Sequence, residues 1–168
     1  KSENNEQRFL PLYEAKMIHQ FNHRWATYDG MKIRDTKSEE LKNKDFSVLP
    51  RYWVSEADVE GNLKAMKWKH PWLMGWRDIC RATDERTVIF CVLPSTAVGH
   101  TSPLILSSNY SKLGLLLVPL SAFVLDFIAR QKVGGTHLTY SYLKQLPLLT
   151  PKNFDTIVPW KSNSSLAN

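Results

Sequence analysis

The sequence predicts a mixed α/β fold. Short apolar and aromatic runs bounded by Gly, Pro and Asp fill the first two thirds and read as strands. Residues 111–131 place apolar side chains at 113, 116, 117, 120, 124, 127 and 128, the spacing of one helical face. A hydrophobic share of 43%, with six Trp, six Tyr and seven Phe, is enough to fill a core.

Taken in order, residues 1–8 are polar and are expected to be a disordered lead. A strand is expected at 10–13 and a short turn or helix at 15–19, anchored by Leu10, Leu12, Met17, Ile18 and Phe21. Residues 23–28 alternate enough for a second strand, and Asp29-Gly30 is a turn signal. Residues 31–48 are charged and weakly patterned, an exposed loop with a helical turn at 38–42. A strand at 51–54 precedes Ser55, an expected N-cap, with Glu56 and Asp58 in the first turn of a helix reaching Met66.

Residues 72–82 and 87–93 read as a hairpin closed by a tight polar turn at 83–86. The second of these strands is apolar on both sides, which predicts a central position. A loop at 99–103, a strand at 104–106 and the long helix follow, with Pro119 expected to kink that helix. Trp25, Trp53, Trp72, Phe90, Leu116, Leu120, Phe123, Val124 and Phe127 are the expected core. The reading is a single domain over 9–150 and a C-terminal extension over 151–168, Ser/Asn-rich from 162.

Lys plus Arg number 22 against 16 Asp plus Glu, for a net charge of +6. The resulting pI near 9.3 favours polyanionic partners. Cys80 and Cys91 lack metal-type spacing and are too few for a disulfide framework, so reduced core thiols of a cytoplasmic protein are expected. The N-terminus has neither an initiator Met nor a signal peptide, and the chain is expected to be cut from a longer one. Pro119, Asp126 and a length under the roughly 20 apolar residues of a bilayer span argue for a core helix over residues 113–129, with no membrane partner.

Several patterns bear on chemistry. His19-x-x-x-His23 would share a metal if helical, but no Glu follows His19 and no third ligand is evident. Asp29, Glu40 and Lys42 spell an acid plus Glu-x-Lys, as in metal-dependent nucleases, although Glu14-x-Lys16 fits equally. No Gly-x-Ser-x-Gly elbow is present. Gly134-Gly135-Thr136 is not a P-loop; its amides suit a phosphate, and Gly-Gly also suits a helix C-cap.

Arg77, Ile79 and Arg81 would share one side of a strand, with Thr83 and Arg86 in the adjoining turn. These arginines either grip phosphates and guanine edges or pair with Asp78, Asp84 and Glu85. A second basic stretch holds His23, Arg24, Lys32, Arg34 and Lys37; a third, around the Gly-Gly turn, holds Arg130, Lys132, Thr136, His137 and Tyr140.

Three stretches in order carry a family resemblance: LPLYEAKMIHQFNHR from Leu10, GWRDICRATDERT from Gly75 and ARQKVGGTHLTYSYLKQLP from Ala129. Together they resemble the C-terminal target-recognition region of bacterial adenine-specific DNA methyltransferases, mainly fused type II restriction-modification enzymes of the Eco57I type. The closing Gly-Gly-Thr, short helix and Leu-Pro also resemble recognition domains of type I specificity subunits. The resemblance implies an α/β (α+β) target-recognition domain with a curved, partly barrel-like mixed sheet packed against helices. It implies double-stranded DNA as one partner and the parent's methyltransferase catalytic domain as the other.

Methyl transfer in that family uses S-adenosylmethionine, with Mg2+ where the parent also cleaves, and an Asn/Asp-Pro-Pro-Tyr/Phe motif. This chain has no Pro-Pro dipeptide and no Gly-rich cofactor loop, so neither catalysis nor cofactor binding is expected of it alone. Arg77, Arg81, Thr83, Arg86, Lys132, Thr136 and His137, with Arg24 and Arg34 behind them, are the expected DNA contacts. The alternatives are a protein-interaction module docking through the 111–131 helix and a metal-dependent nuclease.

Overall fold

A computed structural model describes residues 7–157, 160 and 165. Most of the lead at 1–8 and most of the tail at 162–168 lie outside the described residues. The fold is mixed α/β, with three small sheets and six α-helices among the described residues. The 9–150 stretch read as one domain divides into two compact units, each built from two segments. Unit one is Lys1–Arg77 with Cys91–Leu106; unit two is Asp78–Phe90 with Ser107–Asn168, so the extension from 151 groups with the second.

In unit one, β1 (Phe9–Tyr13) runs antiparallel to β4 (Trp53–Ser55) and parallel to β7 (Ala97–Val98). A 3-10 turn at Ala15–Met17 follows β1, as expected. The hairpin of β2 (Ala26–Asp29) and β3 (Lys32–Asp35) turns at Gly30, whose φ of 59° is the left-handed conformation that glycine takes without a Cβ penalty. α1 (Ser38–Lys42) and α2 (Glu56–Ala65) fall where the sequence places helical turns, although Ser55 makes no side-chain capping bond.

The third sheet has the order β6-β5-β8, with β5 (Trp72–Trp76) in the middle, β6 (Phe90–Pro94) beside it and β8 (Leu104–Ile105) antiparallel on its other side. β5 and not β6 is therefore central, and Val92 is exposed. At Gly75 a Cβ would meet the Pro103 carbonyl oxygen at 2.8 Å, so β8 packs against β5 only because no side chain stands there. Met17, Ile18, Leu73, Met74, Trp76 and Leu93 fill this unit's core.

Two expectations fail here. Strand β5 ends at Trp76, and residues 77–89 form an irregular excursion rather than two strands closed by a tight turn. Arg77, Ile79 and Arg81 therefore share no strand face. Within 83–87 the backbone bonds elsewhere than to a neighbouring strand: the Thr87 N–H donates to the Asp126 carboxylate, the Glu85 carbonyl accepts from Arg130, and the Asp84 N–H closes a local turn on the Arg81 carbonyl.

In unit two the long helix is broken. α3 (Leu113–Leu120) and α4 (Phe123–Lys132) diverge by 77°. Pro119, inside α3, forfeits one ladder bond, the ladder ends with the Ser121 N–H on the Leu117 carbonyl, and Ala122 adopts an extended conformation as the N-cap of α4. The break resets the helical phase. Leu125 and Ala129 face inward with Val133, while Phe123, Val124 and Phe127, expected in the core, are 82%, 72% and 64% exposed. Trp25 and Trp53 are also exposed, whereas Phe90 and Leu120 are buried as expected. α5 (Tyr140–Leu143) and α6 (Pro151–Phe154) complete the unit. No single helix among the described residues is long and apolar enough to cross a membrane.

Candidate nucleic-acid interface

The stretch before β6 has no regular structure, yet it is fixed in unit two by one carboxylate. Asp126, buried in the first turn of α4, accepts the backbone N–H groups of Thr87 at 2.9 Å and Val88 at 2.8 Å on Oδ1. Arg130, one turn on, donates from Nε to Oδ2 at 2.8 Å, and its Nη groups donate to the carbonyls of Ala82 and Glu85. Arg86 packs against the same carboxylate, Nε to Oδ1 at 3.5 Å, donates to the Ser121 carbonyl at 2.9 Å, and lies 4.8 Å over the Phe123 ring. Inside the excursion, the Thr87 hydroxyl donates to the Arg81 carbonyl and the Arg81 N–H donates to Asp84.

A second anchor joins the start of the excursion to the segment after α4. Ile79 and His137 form an antiparallel bridge, the Cys80 N–H donates to the Thr136 carbonyl at 3.0 Å, and the Leu138 N–H donates to the Asp78 carbonyl at 2.7 Å. The His137 Nδ1 lies 2.6 Å from Asp78 Oδ2. A carboxylate only accepts, so Nδ1 carries the proton and Nε2 is left for another partner. The chain leaves α4 through Val133 in an extended conformation, and neither Gly134 nor Gly135 takes a positive φ, so the Gly-Gly pair is not a left-handed helix cap.

The structure thus gathers part of the expected set on unit two. Arg81 and Thr83 are exposed on the excursion; Lys132, Thr136 and His137 are exposed at the end of α4 and on the segment bridged to the excursion. The Arg81 and Lys132 side chains make no ion pair among the described residues. Arg86 is a correction: it is buried against Asp126 and takes part in the clamp instead of facing solvent. The sequence reading missed Asp126 and Asp78 as positioning groups. An acid four residues before Arg130 inside an otherwise apolar run was the available signal.

The remaining candidates lie in unit one and are engaged locally. Arg77 donates from Nε to the carbonyls of Ala15 and Ile18, holding the 3-10 turn. Arg24 donates to the carbonyls of Leu41, Asn43 and Phe46. Arg34 makes a bidentate pair with Glu40 at 2.8 and 2.6 Å. Those bonds, with one from the Lys37 N–H, hold the Glu40 carboxyl down at about 2. Glu40 is thus occupied by an arginine where the nuclease pattern needs it on a metal. His19 and His23 sit in a turn, with His19 bridged to Asn22, and share no helical face. No group of three or more His, Cys, Asp or Glu placed to hold a metal occurs among the described residues. Cys80 and Cys91 are buried free thiols, pushed by burial up to about 11 and about 12.

Two outcomes follow from these bonds. Asp126→Ala leaves Arg86 as a buried unpaired charge and orphans two amides; an expected loss of about 3–5 kcal/mol is read from urea unfolding, and a loss under about 1 kcal/mol would contradict the clamp. Glu40 is depressed in the folded state, so its contribution to stability is present above its ordinary 4.5 and is lost as pH falls through about 2. A carbon-detected NMR titration should place its midpoint there, and Arg34→Ala should return it toward 4.5. Compared with protein-family models, curated proteins and solved structures, the chain matches none.

Proposed function

We propose that this chain is a sequence-recognition module for double-stranded DNA, serving an N6-adenine methyltransferase or restriction-modification enzyme. It is a specificity part without catalysis of its own, acting in the cytoplasm. The curved, partly barrel-like sheet implied by the resemblance belongs to the same proposal. A separate catalytic domain would bind S-adenosylmethionine and act on a flipped adenine, while this chain holds the duplex.

The observation that carries the reading is the clamped excursion. Irregular backbone fixed by Asp126 and Arg130 presents Arg81 and Thr83, and the bridged segment presents Thr136 and His137. Lys132 adds an unpaired charge at the end of α4. Preorganised loops that offer both charge and short hydrogen-bonding side chains suit a groove, because phosphate contacts fix register and base-edge contacts select sequence. The net charge of +6 supplies attraction to the duplex.

A second reading is favoured by one observation. Phe123, Val124 and Phe127 form an exposed apolar face on α4, which suits docking to another protein or domain. The two readings are compatible in one chain, since a recognition module must also hold its catalytic partner.

In fluorescence anisotropy with the cognate duplex, Arg81→Ala and Lys132→Ala should each weaken binding and lower the slope of log affinity against log salt by about 1. Salt slopes identical to the parent in both variants would remove these residues from the interface. Val124→Ser with Phe127→Ser, which leaves the Phe123–Arg86 contact intact, should leave duplex affinity within about twofold and abolish association with the catalytic domain in gel filtration, because large anchors dominate such interfaces and each typically contributes over about 1 kcal/mol. Retained association would eliminate the second reading.

A further inference from the structure

Unit one carries a groove of about 530 Å³ that takes no part in the clamped excursion. Its size falls inside the range of about 300–1,000 Å³ typical of small-molecule sites. Its polar lining comes from Tyr13, His23, Arg24, Lys44 and Ser47, so it offers two cations and three neutral hydrogen-bonding groups and no carboxylate. Flat apolar walls come from Pro11, Phe46 and Pro94.

Tyr13, His23 and Lys44 are available, and Arg24 keeps its charge although three of its N–H bonds are spent on carbonyls. Tyr13 is buried, yet its hydroxyl has no hydrogen-bond partner among the described residues. Burial pushes that phenol up to about 12, so it remains a donor at any ordinary pH. The His23 ring has no partner among the described residues, and burial, reinforced by the Arg24 charge, holds it below its ordinary value and neutral at pH 7. Arg24 is locked by three carbonyls, which fixes its position without neutralising it, and no carboxylate pairs with it among the described residues. Lys44 is exposed and makes no ion pair among the described residues.

We propose that this groove binds a nucleoside monophosphate, with the heterocycle against Phe46 and the two prolines and the phosphate on Arg24 and Lys44. Two cations without a carboxylate partner among the described residues favour an anion, and the apolar walls favour a flat body. The Tyr13 hydroxyl and the His23 ring supply hydrogen bonds to the ribose or base. The same chemistry is offered by a free nucleotide and by an unpaired nucleotide of a single strand. The proposal does not rest on duplex recognition by unit two.

The test is isothermal titration calorimetry of the whole chain with AMP, adenosine and inorganic phosphate. AMP should bind, with adenosine and phosphate each at least about tenfold weaker, the loss expected when one charge-assisted contact is missing. Lys44→Ala should weaken AMP by about tenfold and leave adenosine unchanged, and Tyr13→Phe, which keeps the buried ring, should weaken AMP by at least about threefold. A single-stranded oligonucleotide that displaces AMP from the parent assigns the site to a strand; one that does not assigns it to the free nucleotide. No binding of AMP at millimolar concentration, phosphate binding as tightly as AMP, or unchanged AMP affinity in both variants would overturn the proposal. Duplex binding through Arg81 and Lys132 is read in a separate assay, so either idea can fail without the other.

Discussion

Unit two depends on the Asp126 carboxylate. Four donors converge on it or lie against it: two backbone amides of the excursion, Arg130 one helical turn away and the buried Arg86. Taking these charges out of water is costly, and an apolar cluster of the same volume would often be at least as stable. What the ionic arrangement adds is position. Apolar packing would hold α4 against the neighbouring backbone without fixing where Ala82, Glu85, Thr87 and Val88 lie, whereas directional bonds to each of them define the path of the stretch. A segment without regular structure acquires a single conformation in this way, a precondition for using it as a recognition surface.

The same bonds sort the arginines. All contribute equally to a net charge of +6, but their surroundings differ. Arg24, Arg77, Arg86 and Arg130 donate to backbone carbonyls, and Arg34 is matched by Glu40. Guanidinium suits this task because its planar fork reaches several acceptors at once. Arg81 and Lys132 lie outside such networks, so their charge remains available to an external polyanion.

The sequence was a good guide to strands β1 and β5, to the Asp29-Gly30 turn and to α2, where local signals and the tertiary outcome agree. It was a poor guide wherever long-range bonding overrode a local pattern. Residues 77–82 have strand-like alternation, yet Cys80 finds its hydrogen bond with Thr136 in a distant segment, which periodicity cannot reveal. The apolar spacing across 111–131 holds only for an unbroken helix, and the turn after Pro119 displaced Val124 and Phe127 from the face expected to be buried. Of the candidate site, the cationic residues were visible by type. Which cations are occupied was not, because Glu40 and Arg34 meet through folding of a hairpin against a helical turn, and the carbonyls that hold Arg24 and Arg77 leave no trace in composition.

The break between α3 and α4 also ties together the two surfaces of unit two. α4 starts at Phe123, whose ring lies beneath the Arg86 guanidinium, and one turn later Asp126 lies against that same arginine. The exposed apolar face and the clamp therefore share a residue pair. A partner that covers the exposed Phe123 ring would desolvate its contact with the Arg86 guanidinium and strengthen it, since a cation over an aromatic face is held more tightly away from water. Docking on the apolar face and ordering of the excursion would then favour each other through linked free energies, with no further moving part required. An unbroken helix with Phe123 and Phe127 in the core would have no such coupling, because its apolar face would be unavailable to a partner.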